Sequence, residues 1–186
     1  MSLIPAFEIG LWNAWIFMLC LFLTMLATGK LKKGEAPKNE LDNLGKTEKN
    51  IFIFSKVVFF CAVIYSIFLP LELGTIWSYV GIPVTLIGLA TVTIVMVNFA
   101  ATPYGEPVTK GLYRYSRHPM YITSTLFFLG VGIASASWLF LLLSILFSIS
   151  HFMNGIPEER FCLKQYGKAY QEYMNRTPKL IGIPKA

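Results

Sequence analysis

Charge is scarce in this chain. Of 186 residues, 14% are Asp, Glu, Lys or Arg, against roughly 25% in an ordinary soluble domain. Cysteine occurs three times, at Cys20, Cys61 and Cys162. The wide spacing and the lack of a C-x-x-C pair argue against a disulfide framework or a zinc site. Cys20 and Cys61 lie inside apolar runs, where a thiol serves as a small apolar filler. No P-loop, no GxGxxG and no metal-ligand spacing occurs, so no metal is expected. No Lys or Arg precedes Lys30. The charged start of a cleavable signal is therefore missing, and the first apolar run is expected to stay as a helix. The net charge is +6, but the basic residues are scattered between apolar runs, so nucleic acid is not expected as a partner.

What the chain does have is hydrophobicity, 55% by residue. A soluble fold of this length cannot hide so much apolar surface, whereas a bilayer can. A membrane span needs about 20 mostly apolar residues. Such runs cover Pro5 to Thr28, Ile51 to Leu71 and Thr75 to Ala100. Lys56 is placed to snorkel toward the interface, and Pro83 is a candidate kink. Met120 to Phe152 is too long for one span. The stretch Ala134-Ser-Ala-Ser137 predicts a tight hairpin there, giving spans four and five. A further helix is expected from Pro157 to Met174, followed by an extended tail.

The fold class expected is therefore an all-α integral membrane protein. It has five transmembrane helices, two of them a tight hairpin, and a cytoplasmic C-terminal helix. Residues 1–100 would hold the first three spans with a cytoplasmic loop at 29–50. Residues 101–186 would form the catalytic half. The charge distribution supports five spans. Six lysines lie in 29–50, Lys110, Arg114 and Arg117 lie before span four, and six basic residues follow span five. The other segments between spans hold none. By the positive-inside rule the N-terminus is outside and the C-terminus cytoplasmic.

Two of the cytoplasmic stretches carry chemistry. One is Gly111 to Tyr121, with Arg117-His118-Pro119 at its centre. Proline suits the first turn of a helix, and a helix N-terminus beside Arg117 and His118 would hold an anion. Read alone, Arg117 serves equally to meet lipid headgroups and His118 to cap the helix. The other is Pro157-Glu158-Glu159-Arg160, where the carboxylates suit a helix N-terminus or a cation or ribose. An aromatic stripe follows, Phe161, Tyr166, Tyr170 and Tyr173 with Met174. It serves for packing or as a wall over a ligand. Together the stretches suit a zwitterionic ligand with an aromatic base.

The sequence Arg117-His-Pro-Met-Tyr121, an apolar hairpin, Glu158-Glu159 and a Tyr-Gly-x-x-Tyr-x-x-Tyr tail resembles the isoprenylcysteine carboxyl methyltransferases. The wider family of these enzymes includes membrane phospholipid N-methyltransferases. The resemblance covers about residues 105–183. It implies S-adenosyl-L-methionine bound on the cytosolic side under the C-terminal segment, and a lipophilic or lipid substrate entering from the bilayer. It also implies that Pro107, Val108, Tyr113, His118, Pro119, Met120, Tyr121 and Glu158 bind the cofactor. Arg117, His118, Glu158 and Glu159 would be the catalytic set. Two departures concern the acceptor. The H-x-L-V element is Gly105-Glu-Pro-Val108 here, and Phe152 stands where the carboxyl methyltransferases place an arginine.

On this reading the glutamates engage polar groups of the cofactor. Arg117 and His118 lie near its carboxylate or the acceptor, and Tyr113 and Tyr121 pack on the adenosine. Two other readings stay open. Membrane sterol and steroid reductases share a similar C-terminal half and use NADPH, although their motif reads H-P-N-Y where Met120 stands here. A non-catalytic membrane protein is the second.

Overall fold

The computed structural model describes residues 7–31 and 44–184. Lys32, Lys33, Lys38 and Lys185, counted above in the charge pattern, lie outside them, as does the start of the first predicted span. Within the described residues the secondary structure is helical: α1 Trp15–Leu31, α2 Lys46–Ile67, α3 Ile76–Ala101, a short 3-10 turn Gly111–Arg114, α4 Pro119–Ala134, α5 Trp138–Tyr166 and α6 Lys168–Arg176. Three of these, α2, α3 and α5, are long and apolar enough to cross a membrane, while α1 and α4 are shorter apolar helices.

Where helices start and stop has local causes. The first helix begins at Trp15, ten residues later than the apolar run predicts. Asn13 explains the delay, because its amide donates to the Glu8 and Ile67 carbonyls (2.6 and 2.8 Å) and the Ala14 N–H donates to Leu69 (2.9 Å). The chain is thus tied to the end of α2 before it can coil. The predicted hairpin at 134–137 is present: the Ser137 hydroxyl caps α5 by accepting from the Phe140 N–H (3.2 Å). α3 runs unbroken through Pro83.

The C-terminal helix expected from Pro157 to Met174 is corrected. Pro157 lies inside α5, which continues to Tyr166. A proline removes one backbone donor, and membrane helices tolerate this where neighbours cover the freed carbonyl. The break comes instead at Gly167, whose φ of +54° is a left-handed conformation that disfavours side chains. There the chain turns into α6.

The tightest packing joins α3 to α4. A Cβ on Gly81 would lie 2.1 Å from the Ala134 nitrogen, one on Gly88 2.5 Å from that of Phe127, and one on Gly130 2.5 Å from that of Thr85. Small residues therefore let two backbones touch, a common way to join helices where lipid supplies no hydrophobic drive. Beside this seam an aromatic core forms around Phe128, with Phe147 and Phe59 rings at 4.9 and 5.9 Å.

Hydrogen bonds sort the connections between helices into two ends. At one end the Asn13 contacts meet the end of α2, the Glu72 N–H donates to Ala134 (3.1 Å), and Tyr65 and Ser137 share a hydroxyl contact (3.2 Å). At the other, Arg160 donates to both oxygens of Glu48 (2.6 and 2.7 Å), tying α5 to the start of α2. The Arg117-His118 and Glu158-Glu159 stretches share that second end.

Candidate active site

The site is built where the N-terminus of α4 meets the stretch of α5 from His151 to Glu159. His118 is the N-cap of α4 and Pro119 its first residue. The His118 backbone N–H donates to the Ser116 hydroxyl (3.1 Å), which holds the chain at the entry to α4. On α5, residues His151, Gly155, Glu158 and Glu159 fall three to four apart, so they share a face. Gly155 is the gap in that face. A Cβ there would stand 3.1 Å from His118 Cε1 and 3.3 Å from a Tyr121 ring carbon. Its absence lets both rings lie against the α5 backbone.

The two stretches then meet through charge. Glu159 Oε1 accepts from His118 Nε2 at 2.9 Å and pairs with Arg117 Nη1 at 3.2 Å. Glu158 Oε2 accepts from the Tyr121 hydroxyl and lies 3.6 Å from His118 Nδ1, beyond hydrogen-bond reach. The imidazole thus sits between two carboxylates, with its side chain 3% exposed. It stacks on Tyr121 at 5.0 Å and 9°, and Tyr121 meets the His151 ring edge-on at 4.2 Å. Arg117 and Glu159 are each 13% exposed, whereas Glu158 is 42% exposed and opens the cluster to the outside. Arg117 Nε is buried and has no hydrogen-bond partner among the described residues.

A latch from the C-terminal segment closes over the preceding loop. The Arg117 N–H donates to Pro178 (3.0 Å), and the Gly182 N–H to Tyr115 (3.0 Å). The Tyr173 hydroxyl donates to the carbonyls of Tyr113 (2.8 Å) and Ser116 (3.3 Å). Burial pushes the Tyr113, Tyr170 and Tyr173 phenols above the usual phenol range, so they stay neutral hydrogen-bonding walls. Gly111 allows this loop to close, because a side chain there would strike the Asn98 amide at 2.0 Å.

Of the residues singled out from sequence, Arg117, His118, Tyr121, Glu158 and Glu159 form one cluster. Tyr113 is buried beneath the latch. Pro107 and Val108 are half-buried in the irregular segment between α3 and the 3-10 turn. Met120 lines a cavity in the bundle that His151 also lines. Sequence reasoning passed over His151 and Gly155, and it assigned Ser116 no role of its own. The spacing of His151, Gly155 and Glu159 at successive helical turns was the available signal. Gly155→Val is expected to push the His118 and Tyr121 rings off their carboxylates. It should lower turnover at least tenfold, while far-ultraviolet circular dichroism keeps the wild-type helix content.

No curated protein matches the chain. A family model, phospholipid methyltransferase, matches residues 73–169, just over half of the chain, from the start of α3 through both charged stretches. With apolar helices of membrane-crossing length and a matched segment that carries the whole charged cluster, this chain belongs to the phospholipid methyltransferase family.

Proposed function

We propose that the protein is an S-adenosylmethionine-dependent methyltransferase of the membrane. Its acceptor would be lipophilic, either a phospholipid-type amine or an isoprenylcysteine-like carboxylate. The observation that carries this is the cluster Arg117–Glu159–His118–Glu158–Tyr121. The residues present fit the cofactor. Arg117 has a buried donor without a partner, suited to an amino-acid carboxylate. Glu158 is half-open, suited to an ammonium or ribose hydroxyls. In the arrangement proposed, five spans put the N-terminus outside and the cluster on the cytosolic side, as the distribution of lysine and arginine supports.

When bound, S-adenosylmethionine supplies an activated methyl group. The protein's part is to position two partners and exclude water. Glu159 holds Arg117 and His118 in fixed directions. Tyr121 orients Glu158 by its hydroxyl. Tyr113, Tyr170 and Tyr173 close the site with neutral rings. A carboxylate acceptor needs no base. For an amine acceptor, His118 or a glutamate of the pair takes the proton.

Isothermal calorimetry in detergent tests the reading, with S-adenosylhomocysteine against NADPH. Binding of the first alone is expected. Binding of NADPH would point to a reductase, and binding of neither to a non-catalytic protein. Glu158→Ala removes a charged hydrogen-bond partner worth about 1.5–3 kcal/mol. It should weaken S-adenosylhomocysteine roughly 10- to 100-fold with folding intact. Unchanged affinity would remove Glu158 from the cofactor site.

A further inference from the structure

α1 packs mainly on α3 and only lightly on α2, which leaves a cleft between α1 and α2. The cleft has a volume of about 420 Å³ and is lined by apolar side chains such as Trp15, Leu19, Phe22, Phe60 and Val63. Behind it lies a second cavity of about 170 Å³, bounded by Met120, Phe147 and His151. Leu21, Met25, Lys56 and Phe59 line both spaces, so they adjoin along one wall. His151, which lines the inner cavity, lies between it and the candidate site, against Tyr121 at 4.2 Å.

Among the described residues, Lys56 is the one charged side chain lining the cleft. It stands ten residues into α2, about 15 Å from that helix's start. Its ammonium rests 5.1 Å from the Phe52 ring centroid. A lysine on a membrane helix is costly unless its ammonium reaches polar groups; snorkelling brings it toward the interface, where the phosphodiester of a bound lipid would also lie. A cation at the join of an apolar cleft and a reactive end matches a molecule that is apolar at one end, anionic in the middle and reactive at the other.

Resting on the methyltransferase reading, we infer that the α1–α2 cleft and the cavity behind it bind the lipid acceptor. Its acyl chains occupy the cleft, Lys56 holds its phosphodiester, and its amine points past His151 toward Tyr121 and Glu158. Lys56 is then a specificity-determining residue and takes no part in the methyl transfer itself.

The full chain in detergent is titrated, without methyl donor, with dioleoylphosphatidylethanolamine, dioleoylglycerol or farnesylcysteine, and binding is read by native mass spectrometry. The wild type is expected to prefer the phosphatidylethanolamine over the glyceride at least tenfold. Lys56→Gln should erase that preference and Lys56→Arg should keep it. Val63→Trp, which fills the cleft, should weaken both lipids. Equal phosphatidylethanolamine affinity in wild type and Lys56→Gln would overturn the anchor, and unchanged binding in Val63→Trp would overturn the cleft. A Lys56-dependent preference for farnesylcysteine would replace the phosphodiester by a carboxylate and refute the inference. Because no methyl donor is present, these outcomes are separate from a failure of S-adenosylhomocysteine binding; all three variants should retain that binding.

Discussion

Glu159→Ala is expected to cost the protein both cofactor affinity and stability. Glu159 is the shared partner of Arg117 and His118, and all three side chains are largely shielded from water. Removing one partner of such a cluster leaves the others with uncompensated desolvation, typically about 3–5 kcal/mol for a buried pair. Here the lower end applies, because Arg117 keeps some solvent contact. Arg117 Nε already lacks a partner among the described residues, so losing Glu159 adds to a cost that this side chain carries. The thermal midpoint in detergent should fall and S-adenosylhomocysteine binding should vanish. Glu159→Gln keeps an acceptor for His118 and should recover part of the stability but not the affinity. The comparison with Glu158→Ala separates the two roles: the half-exposed carboxylate should affect binding alone. A Glu159→Ala protein that melts like the wild type would show that the cluster is not held by this carboxylate.

Gly88→Leu is expected to prevent native assembly. The added Cβ would meet the Phe127 backbone nitrogen at 2.5 Å and its Cα at 2.6 Å. Backbone atoms in a packed helix cannot turn aside as a side-chain tip can. Overpacking typically costs about 1–3 kcal/mol, and a clash with backbone on both sides of the seam belongs at or above the top of that range. Phe127 sits between the seam and the aromatic core, so its displacement would spread to Phe128. Gly29→Leu is the matched control, since nothing lies within 4 Å of a Cβ there. Size-exclusion profiles in detergent should show aggregate for the first variant and a single native peak for the second. A monodisperse Gly88→Leu protein with a native thermal midpoint would contradict the close seam.

Much of the fold was legible because its signals are local. Thr75 before an apolar run marks the start of α3, Pro119 after His118 marks the start of α4, and four small residues mark the hairpin at 134–137. The meeting of Arg117-His118 with Glu158-Glu159 was legible for a different reason: the two stretches resemble one paired motif. Other features depend on tertiary contact. Pro157 reads as a helix start, yet the chain coils through it, because its neighbours on α5 are already ordered against α4. Gly155 reads as a weak helix position until His118 is seen pressed against it. The tie between Glu48 and Arg160 joins residues far apart in the chain, and no pattern in either segment announces the other. The late start of α1 is set by Asn13 reaching the end of α2, which an apolar run cannot reveal.

The shortness of α4 bears on where the reaction takes place. Sixteen residues span about 24 Å, less than the roughly 30 Å hydrocarbon core of a bilayer. In the five-span arrangement proposed, a helix that short cannot hold both its ends clear of the membrane. With the hairpin anchored at the far surface in that arrangement, His118 comes to rest about 6 Å short of the near hydrocarbon boundary, just beneath the lipid headgroups. A lipid could then be modified without being lifted from its leaflet, and the work of extraction would never enter the reaction barrier.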